Sequence, residues 1–219
     1  MNARVARPIR IGLLGAGVVG DGILRLLADQ SGSIERRTGT AIEVKTVVAR
    51  DRDKARSKLL SGRLSFDPED VLGDDEIDIV VEVIGGLDPA GTFVRRAIEA
   101  GKSVVTANKE LLAEQGHELI ELSEARGTDL YFEAAVAGGI PVIRVLREAL
   151  AADTVVALRG IVNGTSNYIL SQMRDEGLDF DVALRAAQEK GYAEADPSLD
   201  IDGGDAVHKL TILATLAFG

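Results

Sequence analysis

The residues best suited to chemistry lie close together near the end of the chain. Between Gly191 and Lys209, Glu194, Asp196, Asp200, Asp202 and Asp205 lead into a single cation, Lys209. A calcium loop is the first reading to test. Aligning Ser198, Asp200, Asp202 and Gly203 with such a loop puts Lys209 where a bidentate carboxylate must stand, and a cation there repels calcium. Asp205 and Lys209 are spaced four apart, which puts them on one face of the helix expected over Ala206–Phe218. Such a pair is either a surface ion pair of small worth or an acid–base pair, since an ammonium is a sensible proton donor to an oxygen becoming an alkoxide. Residue types leave both readings open. The nearly continuous apolar run from Leu210 to Phe218 predicts that the helix is buried. The two histidines, His117 and His208, read as structural or exposed, with His208 off the Asp205/Lys209 face.

A second cluster opens the chain. Ile9 to Leu14 is a short apolar run, followed by Gly-x-Gly-x-x-Gly at Gly15, Gly17 and Gly20 with Ala16, Val18 and Val19 between them, then Ile23, Leu24, Leu26 and Leu27 at helical spacing. Strand, glycine turn and helix together are the context in which this motif signals dinucleotide binding. Gly15 would allow the tight turn, Gly17 the close approach of a pyrophosphate and Gly20 the packing of helix on strand. The open N–H groups of the helix start would hold the phosphates. Arg50, at the end of the next strand, suits a 2′-phosphate and so favours NADP; the adjacent Asp51 keeps NAD open, as does the reading of Arg50, Arg52 and Lys54 as a solvated basic helix start. Ile84 and Gly85 end a later strand, and Asn108-Lys109 ends another, all at the carboxyl edge where open α/β sheets bind ligands.

The elements that must position these groups alternate. Strands are expected at Ile9–Leu14, Ile42–Ala49, Asp78–Ile84, Lys102–Ala107 and Asp129–Val136. The helix after the glycine turn should end near Asp29–Gly32, with 33–40 an exposed connection. Asp88-Pro89 should start a helix ended by Gly101, and Leu111–Ala125 should be a helix closed by Gly127. The order predicts a parallel, doubly wound Rossmann-type α/β sheet with right-handed crossovers over residues 1–137. A glycine hinge at Gly138-Gly139 then opens a second, partial α+β domain over 138–219. It should hold helices at Val142–Leu150, Tyr168–Arg174 and Asp181–Lys190, a strand at Val155–Val162 and a loop at Asn163–Asn167.

Composition narrows the function classes. A net charge of −10 argues against nucleic acid, which needs clustered Lys and Arg. The absence of cysteine excludes structural disulfides, Cys-ligated zinc and any thiohemiacetal route from aldehyde to acyl group. Met1–Pro8 lacks the apolar segment of a secretory signal, and no apolar run could span a bilayer. A soluble cytoplasmic protein is the expectation. The rivals to an enzyme are a non-catalytic NAD(P)-binding or redox-sensing module, which would have no use for Glu194, Asp205 and Lys209 together, and, among enzymes, a dehydrogenase for another small amino acid or a sugar.

The ordered motifs resemble the N-terminal half of homoserine dehydrogenase. They are Gly15-Ala16-Gly17-Val18-Val19-Gly20, Thr106-Ala107-Asn108-Lys109, Gly164-Thr165-Ser166-Asn167-Tyr168-Ile169-Leu170, Gly191-Tyr192-Ala193-Glu194-Ala195-Asp196-Pro197, Asp200-Ile201-Asp202-Gly203 and Asp205-Ala206-Val207-His208-Lys209. The first is generic to dinucleotide folds; the last block is highly specific. The resemblance implies NAD(P)-dependent interconversion of L-homoserine and L-aspartate 4-semialdehyde, in threonine, methionine and isoleucine biosynthesis. It implies Lys209 as proton donor and acceptor, Asp205 as its orienting partner, and Lys109 reaching nicotinamide and substrate. Glu194 and Asp200, with Gly164 and Thr165, would hold the substrate. A monovalent cation, usually sodium, would sit near Glu133, Val136, Gly138 and Ile140. The family is longer, often carries a regulatory ACT domain and dimerises through a sheet built from later residues. This chain therefore reads as a fragment of a protein that is a homodimer at full length.

Overall fold

The computed structural model describes residues 7–52 and 60–219; Lys54 lies outside them. The chain divides into two compact units, 1–134 and 135–219.

In the first unit the apolar run Ile9–Leu14 is β1, and the glycine turn leads into α1 (Val18–Thr38). There follow β2 (Ile42–Val48), β3 (Leu64–Ser65), α2 (Glu69–Leu72), β4 (Ile79–Glu82), α3 (Ala90–Glu99), β5 (Ser103–Thr106), α4 (Lys109–Arg126) and β6 (Leu130–Tyr131). All six strands are parallel, in the order β3-β2-β1-β4-β5-β6. That is the doubly wound dinucleotide-binding order, with its switch point between β1 and β4. Alternation along β1 assigns its faces: Ile11 and Leu13 cluster with Leu24 of α1, Val44, Val47 and Val81. Gly12 faces the other way, and a Cβ there would lie 2.5 Å from Val71 of α2, so a side chain would push the helix off the strand. Burial on both faces explains why β4 is apolar up to its last residue, Glu82.

Three expectations change. The first helix does not end near Gly32 but runs to Thr38, where Gly39 caps it with φ 76° and donates its N–H to the Glu35 carbonyl. A polar, exposed helical end has no apolar stripe to betray it. The edge strand β3 and helix α2 were unassigned, being too short to carry a period. Three strands are shorter by one or two residues at an end than the runs that announce them, and Asp129–Val136 contracts to Leu130–Tyr131 followed by a 3₁₀ turn at Glu133–Ala135.

The second unit contains α5 (Val142–Arg144) continued by a π turn over Val145–Ala149, then α6 (Gly164–Glu176), α7 (Phe180–Glu189), α8 (Ser198–Ile201) and α9 (Gly204–Phe218). Its small core joins Ile169 of α6 to Ala183 and Ala187 of α7 and to Ala193. Among the described residues this unit has no strand. Val155–Val162, expected as one, forms no ladder, and Val156 and Ile161 are exposed. β-branched composition favours a strand, but only a neighbouring backbone completes one. The expected burial of Leu210–Phe218 is also only partial: Ile212 and Leu213 are buried, whereas Leu210 and Phe218 are more than half exposed.

Candidate active site

The carboxyl ends of β1, β2 and β4 open onto a cavity of about 540 Å³ whose wall includes Gly15, Ala16, Gly17, Arg50, Phe66 and Ile84. The three glycines have separable reasons. Gly15 has φ +119°, and a Cβ on it would sit 2.7 Å from the Val83 carbonyl. A Cβ on Gly20 would lie 2.2 Å from the Gly15 carbonyl, so that contact of helix and turn admits no side chain. Around Gly17 there is nothing within 4 Å of a would-be Cβ. Its hydrogen-only side is therefore not required by the fold; it leaves open the space a pyrophosphate needs. Gly17 is also the N-cap of α1 and supplies no side-chain cap, so the first-turn N–H groups remain available to an anion. These features fit a dinucleotide. Val18 and Val19 are exposed on the first turn of α1 and stand outside the cavity wall, as do Gly20, Gly85 and Lys109. The guanidinium of Arg52 stacks on Phe66, 4.4 Å from the ring centroid, next to Arg50 on the cavity rim.

Beneath the rim lies a brace that sequence reasoning missed. Glu82, the last residue of β4, is fully buried. Its carboxylate accepts the N–H groups of Ile84 (2.6 Å) and Gly85 (3.1 Å) and the Thr106 hydroxyl (2.5 Å). Thr106 in turn accepts the Asn108 N–H at 3.0 Å, while the Asn108 amide donates to the Gly86 carbonyl at 2.7 Å and its Oδ1 caps α4 at Leu111. A buried carboxylate must be satisfied in this way. The result ties the Ile84–Gly86 turn to the first turn of α4, which Lys109 opens. A lone Glu within a run of Ile and Val was the available signal.

In the second unit the chemistry gathers at the start of α6. Lys209 donates from Nζ to Asp205 Oδ2 at 2.7 Å and to the Val162 carbonyl at 2.8 Å. Asp205 is 3% exposed, so this is no surface ion pair. Asn163 donates from Nδ2 to Asp200 Oδ1 at 2.7 Å and to Asp205 Oδ2 at 2.8 Å, and its Oδ1 caps α6 through the Ser166 N–H at 2.7 Å. Ser166 Oγ donates to the Asp200 carbonyl and Thr165 Oγ1 to the Tyr192 carbonyl. Residues 163–167, expected as a loop before the helix, are therefore its cap and first turn, and they bond to Tyr192, Asp200 and Asp205. An ammonium has three donors; among the described residues, two of them are committed here.

Profiles for two domains of one family cover this arrangement: the homoserine dehydrogenase NAD-binding domain matches residues 15–133, and the homoserine dehydrogenase domain matches residues 141–219. The chain belongs to the homoserine dehydrogenase family. A homoserine dehydrogenase from Neisseria gonorrhoeae is 48% identical over 213 residues, 97% of this chain and 49% of that protein. The crystal structure of a homoserine dehydrogenase from Thiobacillus denitrificans superposes with a TM-score of 0.91 at 54% identity, over 97% of this chain and 49% of that one. A hyperthermophilic archaeal homoserine dehydrogenase in complex with NADPH gives a TM-score of 0.84 at 30% identity, over 97% of this chain and 70% of that one. The chain thus spans about half the length of the curated relatives it matches.

The remaining predicted residues are less convergent. Glu194 is exposed, and among the described residues its carboxylate makes no hydrogen bond to Asn163 or Lys209. Nearby, the hydroxyl and N–H of Ser198 hold the Asp196 carboxyl below its ordinary value, which fastens the start of α8. Lys109 is half-buried at the start of α4. Val136 is buried. Gly138 and Ile140 lie in a turn closed by the Ile140 N–H on the Ala137 carbonyl, with positive φ at Ala137 and Gly139. Among the described residues no group of three or more His, Asp or Glu side chains could hold a metal ion, so a cation at that turn would depend on backbone carbonyls.

Proposed function

We propose that the chain carries the nucleotide-binding and acid–base groups of an oxidoreductase that interconverts L-homoserine and L-aspartate 4-semialdehyde. The observation that carries the reading is the Lys209 ammonium, held by a buried carboxylate and a carbonyl, in a chain whose other unit has a glycine cradle fit for a dinucleotide. The bound nicotinamide would supply or accept hydride at the substrate's terminal carbon. Lys209 donates a proton to the aldehyde oxygen in reduction and recovers it in oxidation. Asp205 keeps the amine aimed. Asp200, with Glu194, attracts the amino-acid ammonium, and the backbone at Gly164 and Thr165 borders the same carboxylates. Lys109 serves the nicotinamide end of the cofactor and the substrate. Val18, Val19, Gly20 and Gly85 shape the cradle from outside its wall. Arg50 favours NADP by pairing with a 2′-phosphate. A sodium ion, if bound near Glu133, would take the carbonyls of Val136, Gly138 and Ile140.

The test is homoserine-dependent formation of NADPH or NADH, measured by absorbance of the reduced nicotinamide in the chain and in the longest form of the protein. Lys209→Ala is expected to abolish turnover while cofactor binding persists. Unchanged turnover in that variant would remove Lys209 from the reaction. No described helix is long and apolar enough to cross a membrane.

A further inference from the structure

We infer that Asn163 is the positioning residue of the second unit: its one side-chain amide sets the spacing of Asp200 and Asp205 and thereby aims Lys209. The inference deepens the function proposed above, on which the identity of the ligand rests.

The argument begins with hydrogen-bond capacity. A primary amide has two N–H donors and one carbonyl oxygen. Asn163 spends one donor on Asp200 and one on Asp205, at 2.7 and 2.8 Å, and spends its oxygen on the Ser166 N–H. The two carboxylates come from different elements, Asp200 from α8 and Asp205 from the first turn of α9. Two anions near one another repel unless a donor stands between them. The amide is that donor, and it is itself fixed because its oxygen is the N-cap of α6. Lys209 then reads both parts of this one stretch of chain: it donates to the oxygen of Asp205 that Asn163 also holds, and to the carbonyl of Val162, the residue before Asn163. Asp205 on its own helix faces the amine and, through the amide, so does Asp200 on α8. Moving the Asn163 amide therefore moves both acceptors of the amine together.

No other side chain meets all three requirements. Asp caps a helix as well as Asn but cannot donate. Ser caps but is too short to bridge. Gln adds a methylene and loses the cap register. Asn163→Asp therefore separates the capping role from the bridging role, because it keeps the first and inverts the second.

The experiment measures the titration of Lys209 by competitive acetylation with acetic anhydride and mass spectrometry, in the unaltered chain, in Asn163→Asp and in Asn163→Ser. A third carboxylate beside Asp200 and Asp205 is expected to raise the labelling midpoint of Lys209 by about one pH unit or more in Asn163→Asp, with a smaller rise in Asn163→Ser. Helix content by circular dichroism should stay unchanged in both, since both keep a cap. An unshifted midpoint in a folded variant overturns the inference; so does loss of the fold in both variants, which would make Asn163 a structural residue. In the form of the protein that turns over homoserine, kcat/KM for homoserine should fall about 100-fold in Asn163→Asp with the KM for cofactor unchanged, as expected of a displaced reacting group. Absence of turnover in the unaltered protein at every length would defeat the proposed function and leave the labelling result to decide on Asn163.

Discussion

The two units hold their functional groups by different means. In the first, the cradle is made of backbone: strand ends, a helix start and glycines whose missing side chains are the functional feature. Its walls are fixed by a sheet whose ladders run through the core, with Leu13, Val47, Val80 and Val104 fully buried. In the second, the polar groups are held by side chains bonding to backbone and to each other around Asn163, over a core of one Ile and three Ala. A sheet-built site tolerates most surface changes and fails at a glycine. A site built from side-chain hydrogen bonds fails at any member, because each buried polar group that loses its partner is left unsatisfied.

The comparison is broken most severely at Lys209. Replacement by Ala is expected to lower kcat by about 10²–10⁴-fold, with nucleotide affinity unchanged in an equilibrium titration. Next come the cores. Leu13→Ala, fully buried under α1, should cost about 2–5 kcal/mol, whereas Ile169→Val in the smaller core should cost about 0.5–1.5 kcal/mol; denaturant midpoints check both. A larger loss at Ile169 than at Leu13 would reverse the ranking of the two units. The glycines sharpen the contrast. Gly17→Ala should leave the melting temperature nearly unaltered yet weaken NADPH binding about tenfold or more, since its methyl group occupies the phosphate space. Gly20→Ala should lower the melting temperature outright, because its methyl meets a carbonyl oxygen.

The smallest effect is electrostatic. At the amino end of the sheet the Arg7 guanidinium holds the Asp78 carboxyl below its ordinary value, and Lys45 does the same for Asp74 and, with Arg10, for Glu76. A depressed carboxyl contributes stability that is complete above its unfolded value and is lost as pH falls through the folded one. The first unit should therefore lose stability progressively below roughly pH 4. Asp78→Asn should make that loss shallower while lowering stability at neutral pH only slightly, because the exposed Arg7 leaves the pair screened by solvent.

Much of the first unit was legible in the chain. The run Ile9–Leu14 matches its strand residue for residue, and Gly15, Gly17 and Gly20 stand where the motif requires them. The last turns of α1 were not legible, because Ser33 to Thr38 has no apolar stripe; Gly39 was the overlooked stop. In the second unit the i, i+4 pair Asp205/Lys209 was visible, but whether it was a surface pair or a buried one was not, since spacing records which face a residue occupies and not what covers that face. Val155–Val162 looked like a strand because β propensity is local, while pairing is not.

What the residues alone determined was periodic or local in cause: which runs become strands, where a glycine turn meets a helix, which two side chains share a helical face. Only the folded chain decided that Glu82 accepts the Thr106 hydroxyl, that Asn163 joins Asp200 to Asp205, and that Lys209 spends one donor on the Val162 carbonyl. Those contacts link residues 24 to 47 positions apart, and nothing in the intervening sequence encodes their distance. They arise because buried polar groups must find partners wherever packing happens to bring them.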